Sequence, residues 1–320
     1  MTARNTLILI ALATLLILVA SPYLGLSIGN ADIQHHILTQ LRIPRVLFAF
    51  IAGAGLALCG MVFQAMFHNP LATPFTLGVA SGGSLGAAIY VYLGFSFTLF
   101  GFDGGTFAAF LGSLIAISFV YSISRYQSGF SPETLLLTGV AISFFFSSLI
   151  LFTQYLSDLT DSFQILRWLM GSLTTVGYRD ILQLLPFVAL CTAVILWLRR
   201  ELNLLMAGDD IALSRGVSVQ YIRYTLFFVT SLCVGAIVAL CGPIGFVGMM
   251  VPHICRLLIG SDHRWLTPAS LLFGGSFLIV CDTISRLIIA PAEIPVGVIT
   301  TLLGGPFFLW LLIKSRSHTA

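Results

Sequence analysis

Lysine is almost missing from this chain: Lys314 is the only one in 320 residues, and charged residues of both signs reach just 8%. Soluble domains carry roughly 25%, so an ordinary water-facing surface is excluded. A phosphate-cradling G-x-x-x-x-G-K-[ST] loop needs its lysine, and no such loop is present. The chain therefore has no means of hydrolysing ATP alone. There is no H-E-x-x-H pair, and His35, His36, His68, His253, His263 and His318 show no spacing that would hold a metal or haem between helices. His253, in "VPHICRL", reads as a packing residue. Cys59, Cys191, Cys233, Cys241, Cys255 and Cys281 all fall in apolar runs without a C-x-x-C pair. They read as small hydrophobes that need no disulfide or metal. A net charge of +3, with no basic patch interleaved with aromatics, leaves nucleic acid no surface. No cofactor is expected.

What is abundant is apolar. Hydrophobic residues supply 58% of the chain, and each membrane crossing needs ~20 of them in a run that satisfies its own backbone. The fold class expected is all-α: a polytopic membrane protein with about ten transmembrane helices, forming one domain over 1–320. The spans are placed near 6–24, 46–66, 76–96, 106–124, 134–156, 181–198, 224–242, 246–260, 268–289 and 296–314. The first follows Arg4 as a signal peptide would, but no small-x-small cleavage site precedes Pro22, so an uncleaved span is expected. An N-terminus inside puts ten cations on the inner side: Arg4, Arg125, Arg199, Arg200, Arg215, Arg223, Arg256, Arg264, Lys314 and Arg316. The outer side receives five: Arg42, Arg45, Arg167, Arg179 and Arg286. That bias predicts both termini in the cytoplasm.

Small residues cluster in "AGAGLALCG" (52–60) and "SGGSLGAA" (81–88), which allows close helix packing in lipid. "HNPLATP" (68–74) and "GPIGFVGMMVP" (242–252) break helices in both halves of the chain, a pattern that fits a transporter better than a structural bundle. An ion-driven transporter needs ionisable groups inside the membrane. Asp282 is the good candidate, and Arg286 four residues later shares its helix face, so a neutralised pair competes with an ion relay. This is transporter architecture without an engine, and a partner must supply the energy. The charged run over about 199–223 is where one could dock. "NLLMAGDDIALSRG" reads as a short amphipathic helix closed by Gly216; a solvated loop that only carries positive-inside charge is the other reading.

"RIPRVLFAFIAGAGLALCGMVFQAMFHNPLATPFTLGVASGGSLGAA" (42–88) closely resembles the signature region of the iron-chelate and cobalamin permeases (FecCD type), the membrane subunits of type II ABC importers. "LLLTGVAIS" (135–143), "LNLLMAGDDIALSRGVSV" (202–219), "GPIGFVGMMVPHICRLLIGSDHRWLTPAS" (242–270) and "AEIPVGVITTLLGGPFFLWLL" (292–312) match in the same order.

The resemblance implies the type II permease fold in a bacterial inner membrane. It also implies a second permease subunit, identical or paralogous, two ATP-binding cassette subunits, a periplasmic binding protein, and surrounding lipid. Its coupling segment corresponds to Leu205, Gly208, Asp209, Asp210, Arg215 and Gly216, set in a groove of the ATPase. Arg42, Arg45 and Arg286 correspond to outward arginines that meet acidic residues of the binding protein. For Arg286 the pair with Asp282 is a competing role, and for Arg42 and Arg45 so is interfacial snorkelling. The gate at the inner end corresponds to Ser131, Glu133 and Thr134; Pro132 and Glu133 depart from the small hydroxyl residues of the cobalamin permease. Ser143 and Ser147, in "SFFFSSLILFTQY", are candidates for the path lining. The cargo expected is a ferric siderophore, because iron chelates are the commonest cargo of the family. Cobalamin, haem and, in another class, ion-coupled secondary transport are the alternatives.

Overall fold

A computed structural model describes residues 2–24, 35–70, 72–99, 101–128 and 132–316. Helices α1 (Ala3–Ala20), α2 (Ile43–Met66), α3 (Val79–Tyr92), α4 (Gly104–Ser128) and α5 (Pro132–Leu156) form the first half. Next come α6 (Leu159–Leu169), α7 (Arg179–Trp197), α8 (Arg199–Ala207) and α9 (Asp209–Ser214). Then α10 (Val219–Cys241), α11 (Val247–Ile259), α12 (His263–Leu287) and α13 (Val296–Arg316) complete the chain. Each of the ten expected spans coincides with a helix. Among the described residues, seven helices are long and apolar enough to cross a membrane, while Val247–Ile259 and Val296–Leu309 are shorter apolar segments. Leucines and phenylalanines such as Leu12, Leu16 and Phe144 stand exposed on the outer faces. That is the inverse of a water-soluble surface, and it suits lipid.

The centre is α2, buried along almost its whole length of roughly 36 Å. Its small residues do what their clustering predicts. A Cβ added to Gly60 would overlap the backbone carbonyl of Gly248 on α11, and one at Gly53 would overlap that of Gly274 on α12. Backbones therefore touch across these crossings, as small residues permit in lipid.

Both expected breaks are present, with different anatomy. After α2, His68 takes a φ of 48° and the chain makes a 3₁₀ turn at Pro74–Leu77 before α3. In the second half the break spans Gly242 (φ 70°) to Phe246 (φ 65°), whereas Pro252 stays inside α11. Gly248 meets Gly60 well along α2, so α11 starts deep in the bundle and is only 13 residues long. The exposed peptide groups there are covered by protein: Ile244 is buried, and the Ser172 amide donates to the Cys241 carbonyl at 2.7 Å. A two-stranded ribbon, Thr98–Leu99 with Phe102–Asp103, and the helix α6 were not foreseen. The Asp158 carboxylate starts α6 by accepting the Asp161 amide at 2.8 Å.

Candidate functional site

Two polar clusters sit at opposite ends of the antiparallel pair α2 and α12. At one end, Arg45 enters α2 and Asp282 lies near the close of α12. Asp282 is 1% exposed, and an isolated carboxylate so buried would be costly. Two guanidiniums neutralise it. Arg45 Nη2 and Nε donate to Oδ1 at 2.8 and 3.0 Å, and Arg286 Nε donates to Oδ2 at 3.1 Å. Arg45 Nη1 also reaches Glu293 at 2.9 and 3.1 Å. Two cations thus meet two carboxylates.

The expected pair Asp282–Arg286 forms, and Arg45 and Glu293 join it from far along the chain. The role that competes with docking for Arg286 is therefore filled, and Arg45 shares it. Arg45 and Arg286 are 13% and 10% exposed and turned to Asp282, because a buried carboxylate takes the cations within reach. Arg42 instead donates from Nη1 to the carbonyls of Pro22 and Leu24 at 3.2 and 2.5 Å, and holds the end of α1. A cavity of about 730 Å³ opens beside this cluster, bordered by Arg42, Asp180 and Glu293. With both its oxygens held by arginines, Asp282 is poorly placed to relay an ion.

At the other end lies the charged run, where the structure replaces the single expected helix by two. Gly208 separates α8 from α9 with φ 122° and ψ 151°, a conformation essentially restricted to glycine. Nothing lies within 4 Å of its missing Cβ, so the segment is free to meet another backbone there.

The two short helices are tied to three spans. His68 Nε2 donates to the Leu205 carbonyl at 2.7 Å, linking α8 to the end of α2. Asn203 donates to Asp262 at 2.8 Å, and its oxygen accepts from the amide and Nδ1 of His263 at 2.9 and 2.7 Å, linking α8 to α12. The Arg264 amide, then the Asn203 side chain, hold the Asp262 carboxyl below its usual range. Arg223 on α10 donates to Asp209 at 2.8 Å. Of the coupling candidates, Leu205 is therefore buried inward and Asp209 is paired within the chain. Asp210, Arg215 and Gly216 stand exposed beside Ile211 and Leu213.

Along the side of the bundle, Ser81 and Ser84 of α3 face Ser147 and Gln154 of α5 across a cavity of about 310 Å³ that also meets Pro243. Ser147 is thus a lining residue. Ser143 turns back and donates to its own helix at Gly139 O, 2.8 Å away. Glu133 is exposed and Thr134 half-buried at the start of α5, while Ser131 lies outside the described residues. Ser81, Ser84 and Gln154 were missed; the small-residue run 81–88 held the signal for the two serines.

A family model described as the FecCD transport family matches residues 4–314, which include both clusters, both breaks and the serine-lined cavity. The chain belongs to the FecCD family. The haemin transport system permease HmuU of Yersinia pestis is 38% identical over 288 residues, which cover 90% of this chain and 86% of the relative. The cobalamin import permease BtuC of Halobacterium salinarum is 39% identical, over 90% of this chain and 76% of the relative. A solved inward-facing metal-chelate type ABC transporter superposes with a TM-score of 0.88 at 32% identity, covering 97% of this chain and 99% of that one. This FecCD protein is a multi-pass inner-membrane permease subunit of a type II ABC importer. ATP hydrolysis falls to a separate subunit, as the missing phosphate loop requires.

Proposed function

We propose that this FecCD permease forms half of a path for a bulky ferric chelate of the siderophore class, with both termini in the cytoplasm. The observation that carries this reading is the cavity between α3 and α5. Ser81, Ser84, Ser147 and Gln154 offer hydroxyl and amide groups without a charge, set in a largely apolar wall that includes Ile150, Leu151 and Leu169. Such a wall can touch a hydrophilic chelate weakly and let it go, and none of its groups is a usual haem-iron ligand. Haem is the second reading, favoured by the likeness to HmuU over 90% of the chain. A second permease copy, identical or paralogous, supplies the opposite wall.

The paired helices α8 and α9 face the ATPase in this reading, with Asp210 and Arg215 offering charge-assisted contacts. Movement of that segment is passed through His68, Asn203 and Arg223 to α2, α12 and α10. Asp210→Lys with Arg215→Glu is expected to cut ATP-driven uptake at least tenfold, with membrane insertion intact. Unchanged uptake in that variant removes the coupling role.

The rim around Arg42 receives the binding protein. The deciding experiment reconstitutes the permease with ATPase and binding protein in vesicles and offers a ferric hydroxamate, haemin and cobalamin. Uptake of the hydroxamate that survives a collapsed proton gradient is expected, and Arg42→Glu should raise the binding-protein requirement, most at low salt. Uptake of haemin alone establishes the second reading. Transport lost to the uncoupler with ATP present establishes ion coupling instead.

A further inference from the structure

Three thiols far apart in sequence converge in the middle of the bundle. Cys59 on α2, Cys191 on α7 and Cys233 on α10 place their sulfurs within 4.8 Å of one another. The Cys59 and Cys191 sulfurs are 3.8 Å apart, and exposure of the three residues is 0%, 1% and 1%. Cysteine as a small apolar filler explains each position taken singly, as it does Cys241, Cys255 and Cys281, which join no such group among the described residues. Filling does not require three donor atoms from three helices to point at one place.

The donor set selects the ion. Thiol sulfur is soft and favours Cu(I), zinc or iron–sulfur chemistry over magnesium, calcium or manganese. Zinc is almost always four-coordinate in structural sites, and this group has three sulfurs with no histidine or carboxylate. Sulfur binds a metal as thiolate: three S–H protons leave to solvent as three copper–thiolate bonds form, no electron is transferred, and the loaded site carries two negative charges.

We propose that Cys59, Cys191 and Cys233 form a three-sulfur site for one Cu(I) ion, which pins α2, α7 and α10 together. It is separate from the serine-lined cavity and from both polar clusters, and it does not depend on the cargo reading.

The test uses the purified full-length permease in detergent, without oxygen, titrated with Cu(I) buffered by bicinchoninate. One copper per chain is expected after desalting, with three sulfur neighbours by X-ray absorption and a raised Tm. Cys59→Ala, Cys191→Ala and Cys233→Ala should each weaken binding at least tenfold. A variant with Cys241, Cys255 and Cys281 all changed to Ala should bind as the wild type does. Equal copper retention by the three single variants, or no copper in the wild type, overturns the site. If the single variants fail to fold, the wild-type absorption spectrum still decides: nitrogen or oxygen neighbours in place of sulfur refute it.

Discussion

Asp282→Ala is expected to lower stability by about 3–5 kcal/mol, the usual cost of stranding a buried charge by removing its partner. Arg45 and Arg286 would then face each other with no carboxylate between them, at 13% and 10% exposure. Glu293 could still hold Arg45, but it is 44% exposed and sits at the rim, so it compensates only in part. Thermal unfolding in detergent, followed by size-exclusion chromatography, measures the loss. The companion variant Asp282→Leu, Arg45→Met and Arg286→Leu removes the three buried charges, leaves only the exposed Glu293, and should recover much of it, because well-packed apolar groups often replace a buried ion cluster without loss. An Asp282→Ala protein that melts with the wild type would mean the cluster is solvated and carries no structural weight.

Gly60→Leu should yield no folded permease. Even a Cβ at this position would overlap the Gly248 carbonyl, and backbone cannot rotate away as a side chain can. Overpacking a core with side chains alone costs about 1–3 kcal/mol; here α11 must leave α2 and take the break at Gly242–Phe246 with it. Gly305→Ala is the matched control, since nothing lies within 4 Å of its missing Cβ and alanine is the better helix former. Loss of the monodisperse peak for Gly60→Leu and its retention for Gly305→Ala is the expected result. A well-behaved Gly60→Leu protein would place α11 elsewhere.

Some of the site was legible in one dimension. Asp282 and Arg286 stand four apart, and helix geometry alone brings that spacing to one face, so their pair could be read directly. Arg45 is 237 positions from Asp282, and no periodicity connects the two. The charged run was recognisable as a polar interruption of the apolar chain, yet it read as one amphipathic helix. Apolar spacing carries through Gly208, whereas the helix stops there at φ 122° and ψ 151° and a second one begins. Ser143 and Ser147 look alike in the string, but one full turn separates their roles: the first bonds its own helix and the second lines the cavity.

Composition and local spacing were enough to establish a lipid-embedded helical transporter without its own ATPase, because span length, charge scarcity and a missing phosphate loop are properties of contiguous residues. They could not place three thiols together, pair Asp282 with Arg45, or set Gly60 against Gly248. Those contacts join helices distant in the chain, and their geometry exists only once packing has chosen each helix's neighbours, depth and rotation.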